Sequence, residues 1–215
     1  MTNRTCGLSD GISRRHALAR MVSVVAGLMV HTTEARPRQV SVRLETGMGS
    51  IDVVVECSQA PITSADFLKY VDRRLFEGGA MYRTVRPDND PGPIKIDVIQ
   101  GGVTDENKFL PKIPHEPTSV TGLRHRDGTV SVGRNAPGTG TAGAFFICIG
   151  DQPELDFGGR RNPDGQGFAA FARVVSGMEV VREIWKQKTE GSLGSAGAQV
   201  IAPPVPILSA HRCNC

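Results

Sequence analysis

The sequence predicts a mainly β fold, a closed or nearly closed antiparallel barrel of about eight short strands with two α-helices over its ends. Three observations point there. Twenty-five glycines and fourteen prolines punctuate the 215 residues, which favours turns and leaves little room for long helices. Short β-branched and aromatic runs recur between these breaks, while only two segments place apolar residues at helical spacing. The apolar fraction of 39% is enough for a globular core. Many short strands must hide their edges, which closure does, and helices can then plug the open ends.

The elements follow in order. Val40 to Leu44 reads VSVRL and Ser50 to Val55 reads SIDVVV. Thr46-Gly47-Met48-Gly49 between them makes a hairpin. After Ala60-Pro61-Ile62, Thr63 is placed to cap a helix, with Asp66 at its third position and Phe67, Leu68 and Val71 on its apolar face. Gly78-Gly79 ends that segment. Met81 to Val85 is a short strand, Arg86 to Pro93 an exposed loop, and Ile94 to Gln100 a strand closed by Gly101-Gly102. Gly128 to Val132 and Phe145 to Ile149 are strands joined by the aperiodic loop Gly133 to Ala144. Phe168 to Val175 is another strand. Gly177 to Lys186 is the second helix, with Met178, Val181 and Trp185 on one side. Gly194 to Ala202 reads as a flexible connection, and Val205 to Leu208 as a last strand pairing with the first. No internal repeat is present.

Residues 1–35 have a different character. Arg4, Arg14, Arg15 and Arg20 make a positive front, and Met21 to Val30 is almost wholly apolar. That run is too short for a permanent span of about 20 residues. Thr33-Glu34-Ala35 ends it with small residues where a signal peptidase reads. We therefore expect an export signal over 1–35, one folded domain over 36–215, a periplasmic location and no stable membrane insertion after processing. Ser13-Arg14-Arg15-His16-Ala17-Leu18 resembles a twin-arginine signal, with Ala17 where Phe is usual. The competing readings are a buried N-terminal helix and an uncleaved cytoplasmic protein.

Several function classes are excluded. The formal charge is +3, and +1 once residues 1–35 are removed. No Lys/Arg run is interleaved with aromatics, so nucleic acid is not an expected partner. No nucleotide, flavin or metalloprotease motif is found, and no cofactor or metal is expected. Of the cysteines, Cys148 lies in the apolar run Phe145 to Ile149 and reads as core. Cys213 and Cys215 are candidates for a bridge, with Cys57 as a further partner. A four-cysteine metal site has no C-x-x-C spacing to support it.

The order of the pieces resembles the cyclophilins, prolyl isomerases built on a closed eight-stranded antiparallel barrel capped by two α-helices. The resemblance rests on Thr46-Gly47-x-Gly49-x-Ile51, Ala60-Pro61-x-Thr63 with Phe67, Tyr82-Arg83, Ile99-Gln100-Gly101-Gly102, Phe145-Phe146-Ile147, and Phe171, Val174, Gly177 and Val180. Each is weak alone, but their order and spacing agree along nearly the whole of 36–215. The stretch Ile149 to Gly159 looks like a bacterial branch.

The resemblance implies acceleration of X–Pro bond rotation in proline-containing polypeptides by a monomer without cofactor, assisting the folding of exported proteins. It implies Arg83 as the catalytic donor and Gln100 as the residue that orders it and reaches the substrate carbonyl. Val98, Phe146, Leu155 and Phe168 match the proline pocket, Phe168 standing where many relatives carry His or Tyr. Phe145 and Phe146 must face opposite ways on one strand, which makes Phe145 core. Arg134 and Asn135 lie where the family offers backbone groups to an extended peptide. Three positions depart from the pattern. Ala144 replaces the usual Gln. Glu154 stands where eukaryotic relatives have Trp, which predicts weak binding of cyclosporin-type inhibitors. Asp97 replaces a frequent Phe and is expected beside the pocket, making it more polar or binding a basic residue next to proline, or else facing solvent. Because of Ala144, a second reading is a proline-peptide-binding module with little turnover.

Overall fold

The computed structural model describes residues 38–191 and 198–214. The expected export signal lies outside the described residues. The first hairpin is β1 (Gln39–Thr46) and β2 (Gly49–Glu56), paired in register from Gln39↔Glu56 to Thr46↔Gly49. Helix α1 (Pro61–Asp72), β3 (Ala80–Val85), β4 (Val98–Gly102) and the one-turn α2 (Thr118–Thr121) follow. Then come β5 (Thr129–Val132), β6 (Ala144–Cys148), β7 (Ala169–Ser176), α3 (Met178–Trp185), β8 (Thr189–Glu190) and β9 (Val200–Cys213).

The sheet runs β1-β2-β7-β5-β6-β4-β3-β9, and β9 pairs back onto β1, so eight antiparallel strands close a barrel with β8 attached outside the ring. Closure removes the unpaired edges that open sheets must otherwise cover. Inside, Phe67 of α1 packs on Phe171 at 5.0 Å and edge-on to Phe145 at 6.0 Å. Val180 of α3 covers Gly49 where β2 begins, whereas α1 follows where β2 ends. The two helices therefore sit toward opposite ends of β2.

The structure departs from the sequence expectations at several places, among them the strand expected from Ile94, which begins only at Val98. Helix α1 begins at Pro61, not after Thr63, and its N-cap Ala60 offers no side-chain acceptor. The distant Glu116 supplies one: its carboxylate accepts from Ile62 N (3.2 Å), Thr63 N (2.7 Å) and the Thr63 hydroxyl (2.7 Å). A carboxylate suits the partial positive charge of a helix N-terminus. The final strand is longer than Val205 to Leu208, and it takes in Val200 to Ala202, which had read as part of a flexible connection. It needs that length to close the ring against both β1 and β3. The loop after β3 is not wholly exposed, since Asp90 is buried against Arg161. Cys213 is disulfide-bonded, whereas Cys57 and the core residue Cys148 are free thiols.

Candidate active site

Three neighbouring strands bring the key side chains into one row. Arg83 of β3 pairs with Gln100 of β4, and Gln100 pairs with Phe146 of β6. Directly paired residues project on the same side of a sheet, strands being spaced by about 4.8 Å. The alternate residues Ile99, Phe145 and Ile147 enter the barrel core. Val98, two before Gln100, stays on the outer side with Phe146, Leu155, Ile96 and Cys148, a second apolar cluster against which Phe168 packs. The close approach of β4 and β6 depends on Gly102, at φ +131°, where a Cβ would lie 2.0 Å from the Gly143 carbonyl oxygen.

The result is a cleft of about 330 Å³. Its lining contains every residue expected at the site: Arg83, Gln100, Val98, Phe146, Leu155, Phe168, Arg134 and Asn135. Ala144 also lines it, so the wall lacks a side-chain amide there. Phe146 meets Phe168 edge-to-face at 5.2 Å. Behind it, the His125 ring stacks on Phe146 at 6.0 Å. Nδ1 of His125 lies 2.8 Å from Asp156 Oδ1, and Nε2 lies 3.1 Å from the Ser131 hydroxyl. Although these are Ser, His and Asp in contact, Ser131 and His125 are buried behind the pocket. They brace the aromatic floor. Burial raises the pKa of Asp156, but its bonds from His125 more than offset this and hold it below the ordinary value.

Arg83 is held by amides. Its Nη1 donates to Gln100 Oε1 at 2.8 Å, while Nε and Nη2 both donate to Gln199 Oε1 at 2.9 and 2.6 Å. Of the five guanidinium N–H groups, one on Nη1 and one on Nη2 remain for a ligand. Arginine only donates, so Gln100 must turn its carbonyl toward Arg83 and its amide Nε2 the other way, beside Gly133. Burial and then the nearby Arg161 charge lower the Arg83 pKa from its ordinary value. Tyr82 bonds to Gln100 as well, and burial raises its hydroxyl pKa.

The other two guanidiniums of the cleft are each matched by a carboxylate. Arg134 donates to Asp164 at 2.8 and 2.9 Å and to the Gly167 carbonyl, with its plane over Phe168 at 5.3 Å. These bonds hold Asp164 down to about 2. Arg161 donates to Asp90 at 2.7 and 3.2 Å. Arg161 and Gln199 were missed in the sequence: Arg161 finds its partner 71 residues away and Gln199 116 residues away, and neither lies in a local pattern.

Asp97 does not line the cleft, contrary to expectation. Ile96, Val98 and Gln100 alternate onto the cleft, and Asp97 goes to the other side, near Trp185. Burial raises its pKa, and the Trp185 indole opposes that rise. Glu154 also lies outside the lining and pairs with Arg160, whose bonds hold it down to about 2. Among the described residues no group of three or more His, Cys, Asp or Glu is disposed to hold a metal ion.

The sequence profile described as cyclophilin type peptidyl-prolyl cis-trans isomerase/CLD matches residues 41–212. Peptidyl-prolyl cis-trans isomerase A of Dickeya dadantii is 28% identical over 90% of this chain and 94% of its own length. A peptidyl-prolyl cis-trans isomerase of Streptomyces antibioticus is 32% identical over 79% of this chain and 96% of its own. A solved cyclophilin-type isomerase of Cryptosporidium parvum superposes with a TM-score of 0.61 at 17% identity, covering 83% of this chain and 99% of that one. That likeness shows the barrel.

Proposed function

Because this chain belongs to the cyclophilin-type peptidyl-prolyl cis-trans isomerases, we propose that Arg83 is its catalytic donor, within a cleft that grips the proline ring. The observation that carries this reading is the row Arg83–Gln100–Phe146 on one side of three paired strands. Cyclophilin isomerases act on proline-containing peptides.

Rotation about X–Pro is slow because C–N resonance must be broken, at about 18–20 kcal/mol. No covalent step is needed; the site must bind the twisted bond better than either planar form. Twisting makes the proline nitrogen pyramidal and returns its lone pair. A donor aimed at that nitrogen therefore stabilises the twisted bond alone. The two open N–H groups of Arg83 supply it, on a cation bonded only to neutral amides. Val98, Phe146, Leu155 and Phe168 receive the ring, and Gln100 offers an N–H of its side-chain amide to the substrate carbonyl. Asn135 and the backbone around Arg134 take the extended peptide beyond. The Arg134 side chain itself serves as a wall, being tied to Asp164 and Gly167.

We further propose that the protein is exported through the signal in residues 1–35, acts as a monomer, and assists the folding of exported polypeptides. The apolar run Met21 to Val30 behind four arginines supports export. A protease-coupled assay on a proline tetrapeptide tests the chemistry: the expected result is faster isomerisation at catalytic concentrations, lost in Arg83→Ala. Peptide binding without a rate change would favour the binding-module reading, which the bare wall at Ala144 suggests. Sequencing the processed chain tests export, and a mature N-terminus near Arg36 is expected.

A further inference from the structure

We propose that Gln199 is a positioning residue for isomerisation, orienting Arg83 from the far end of the chain while leaving its charge uncancelled. This rests on the role given to Arg83 above. Gln199 is wholly buried, immediately before β9. Its one carbonyl oxygen takes two N–H groups of Arg83, on Nε and Nη2. With Gln100 on Nη1, the guanidinium plane is held at all three nitrogens.

Gln199 is itself held at both ends. Its Nε2 donates to the Asn89 carbonyl at 2.9 Å, and its backbone carbonyl accepts from Thr84 N at 3.0 Å. Asn89 in turn donates to the carbonyls of Thr84 and Ala198, at 3.2 and 3.3 Å, and accepts from Arg86 N at 2.8 Å. The side-chain amide cannot be reversed. Arg83 offers only donors on one side and the Asn89 carbonyl only an acceptor on the other. Residue 199 is thus locked to the strand that carries Arg83.

The choice of an amide has electrostatic consequences. Arg134 and Arg161, on the same cleft, are each bonded to a carboxylate. A carboxylate at 199 would still accept from Arg83, but it would lose the bond to the Asn89 carbonyl and offset the charge that must meet the developing lone pair. A neutral acceptor fixes the geometry and preserves the field. An apolar residue of similar size would leave a long, flexible side chain tethered only through Gln100. A misplacement of about 1 Å in such a group costs on the order of a hundredfold in rate.

The test uses Gln199→Leu and Gln199→Glu in the tetrapeptide assay, with the Arg83 Nε–H signal followed by NMR. Gln199→Leu is expected to lower kcat by about ten- to a hundredfold with KM changed less than about threefold. It should also shift or broaden the Nε–H signal, and it should add no loss in an Arg83→Ala background. Gln199→Glu is expected to keep an ordered Nε–H signal and still lose kcat. A folded Gln199→Leu protein with wild-type kcat would overturn the proposal. So would a loss that persists undiminished in the Arg83→Ala background, because that effect would not pass through Arg83. If Gln199→Leu does not fold, Gln199→Glu decides, and wild-type kcat there overturns the claim. Wild-type activity in Arg83→Ala alone would instead sink the reading of Arg83 on which this one stands.

Discussion

Replacing Arg83 by lysine separates charge from geometry. The wild-type side chain makes three bonds to two carbonyls and keeps two donors free for substrate. Deleting one donor aimed at transition-state charge costs about 10²–10³ in rate, or about 2.7–4 kcal/mol, so Arg83→Ala should lose about that much in kcat/KM. Lysine keeps a positive charge but has no planar fork, and it cannot serve Gln100, Gln199 and a substrate nitrogen together. We expect Arg83→Lys to recover only part of the loss, remaining about ten- to a hundredfold below wild type. Both variants leave the wholly buried Gln199 carbonyl short of donors, which costs about 1–3 kcal/mol of stability. For a domain of this size that lowers Tm by roughly 2–4 °C per kcal/mol, so rates should be measured well below the shifted midpoint. The assay is protease-coupled cleavage of a proline tetrapeptide, checked by NMR exchange between the cis and trans forms. Wild-type kcat/KM in Arg83→Lys would show that the fork is not used. Arg83→Ala within about threefold of wild type would remove Arg83 from the mechanism.

Ala144→Gln returns an amide to the cleft wall, and one neutral hydrogen bond of about 1 kcal/mol predicts a several-fold gain in kcat/KM; an unchanged or lower value in the same assay would argue that the position does not face the substrate. Phe146→Ala removes a buried ring packed on Phe168 and His125. Chemical denaturation should show a loss of about 3–5 kcal/mol, together with a raised KM for proline peptides. Glu116→Ala strips the acceptor from the start of α1, and denaturation should report a loss of about 1–3 kcal/mol with kcat of the folded protein unchanged. For pH, Asp164 and Glu154 are held at about 2, below ordinary values of 3.8 and 4.5. The unfolded chain therefore binds protons first on acidification, so this stability is present above pH 4.5 and is lost as pH falls toward about 2. Denaturant midpoints across that range should fall with pH, and high salt should weaken the part carried by the more exposed Glu154–Arg160 pair; constant midpoints would contradict the assignment.

Local pattern was enough for much of this protein. Alternation along β1 and β2, the glycines between them and the aromatic pair Phe145-Phe146 are set by neighbours in the chain, because side chains on a strand change face at every residue. The resemblance put Asp97 beside the pocket, whereas the alternation of the strand gives that side to Ile96 and Val98. Strand parity depends on register, and register is set by the partner strands. Composition and motif order sufficed for the barrel and for the local positions of Arg83, Gln100 and Phe146. Other contacts depend on chain ends meeting in space. Glu116 reaches α1 across 53 residues, Asp90 reaches Arg161 across 71 and Gln199 reaches Arg83 across 116. A glutamine or an aspartate carries no local signal of such a role, since hydrogen bonds form wherever the closed barrel brings a donor and an acceptor together. The sequence by itself determined most of the strands and the two longer helices, which depend on local periodicity, and its resemblance singled out Arg83 as the candidate donor. Only the tertiary structure decided what holds Arg83 still, because barrel closure through β9 is what places Gln199 beside it.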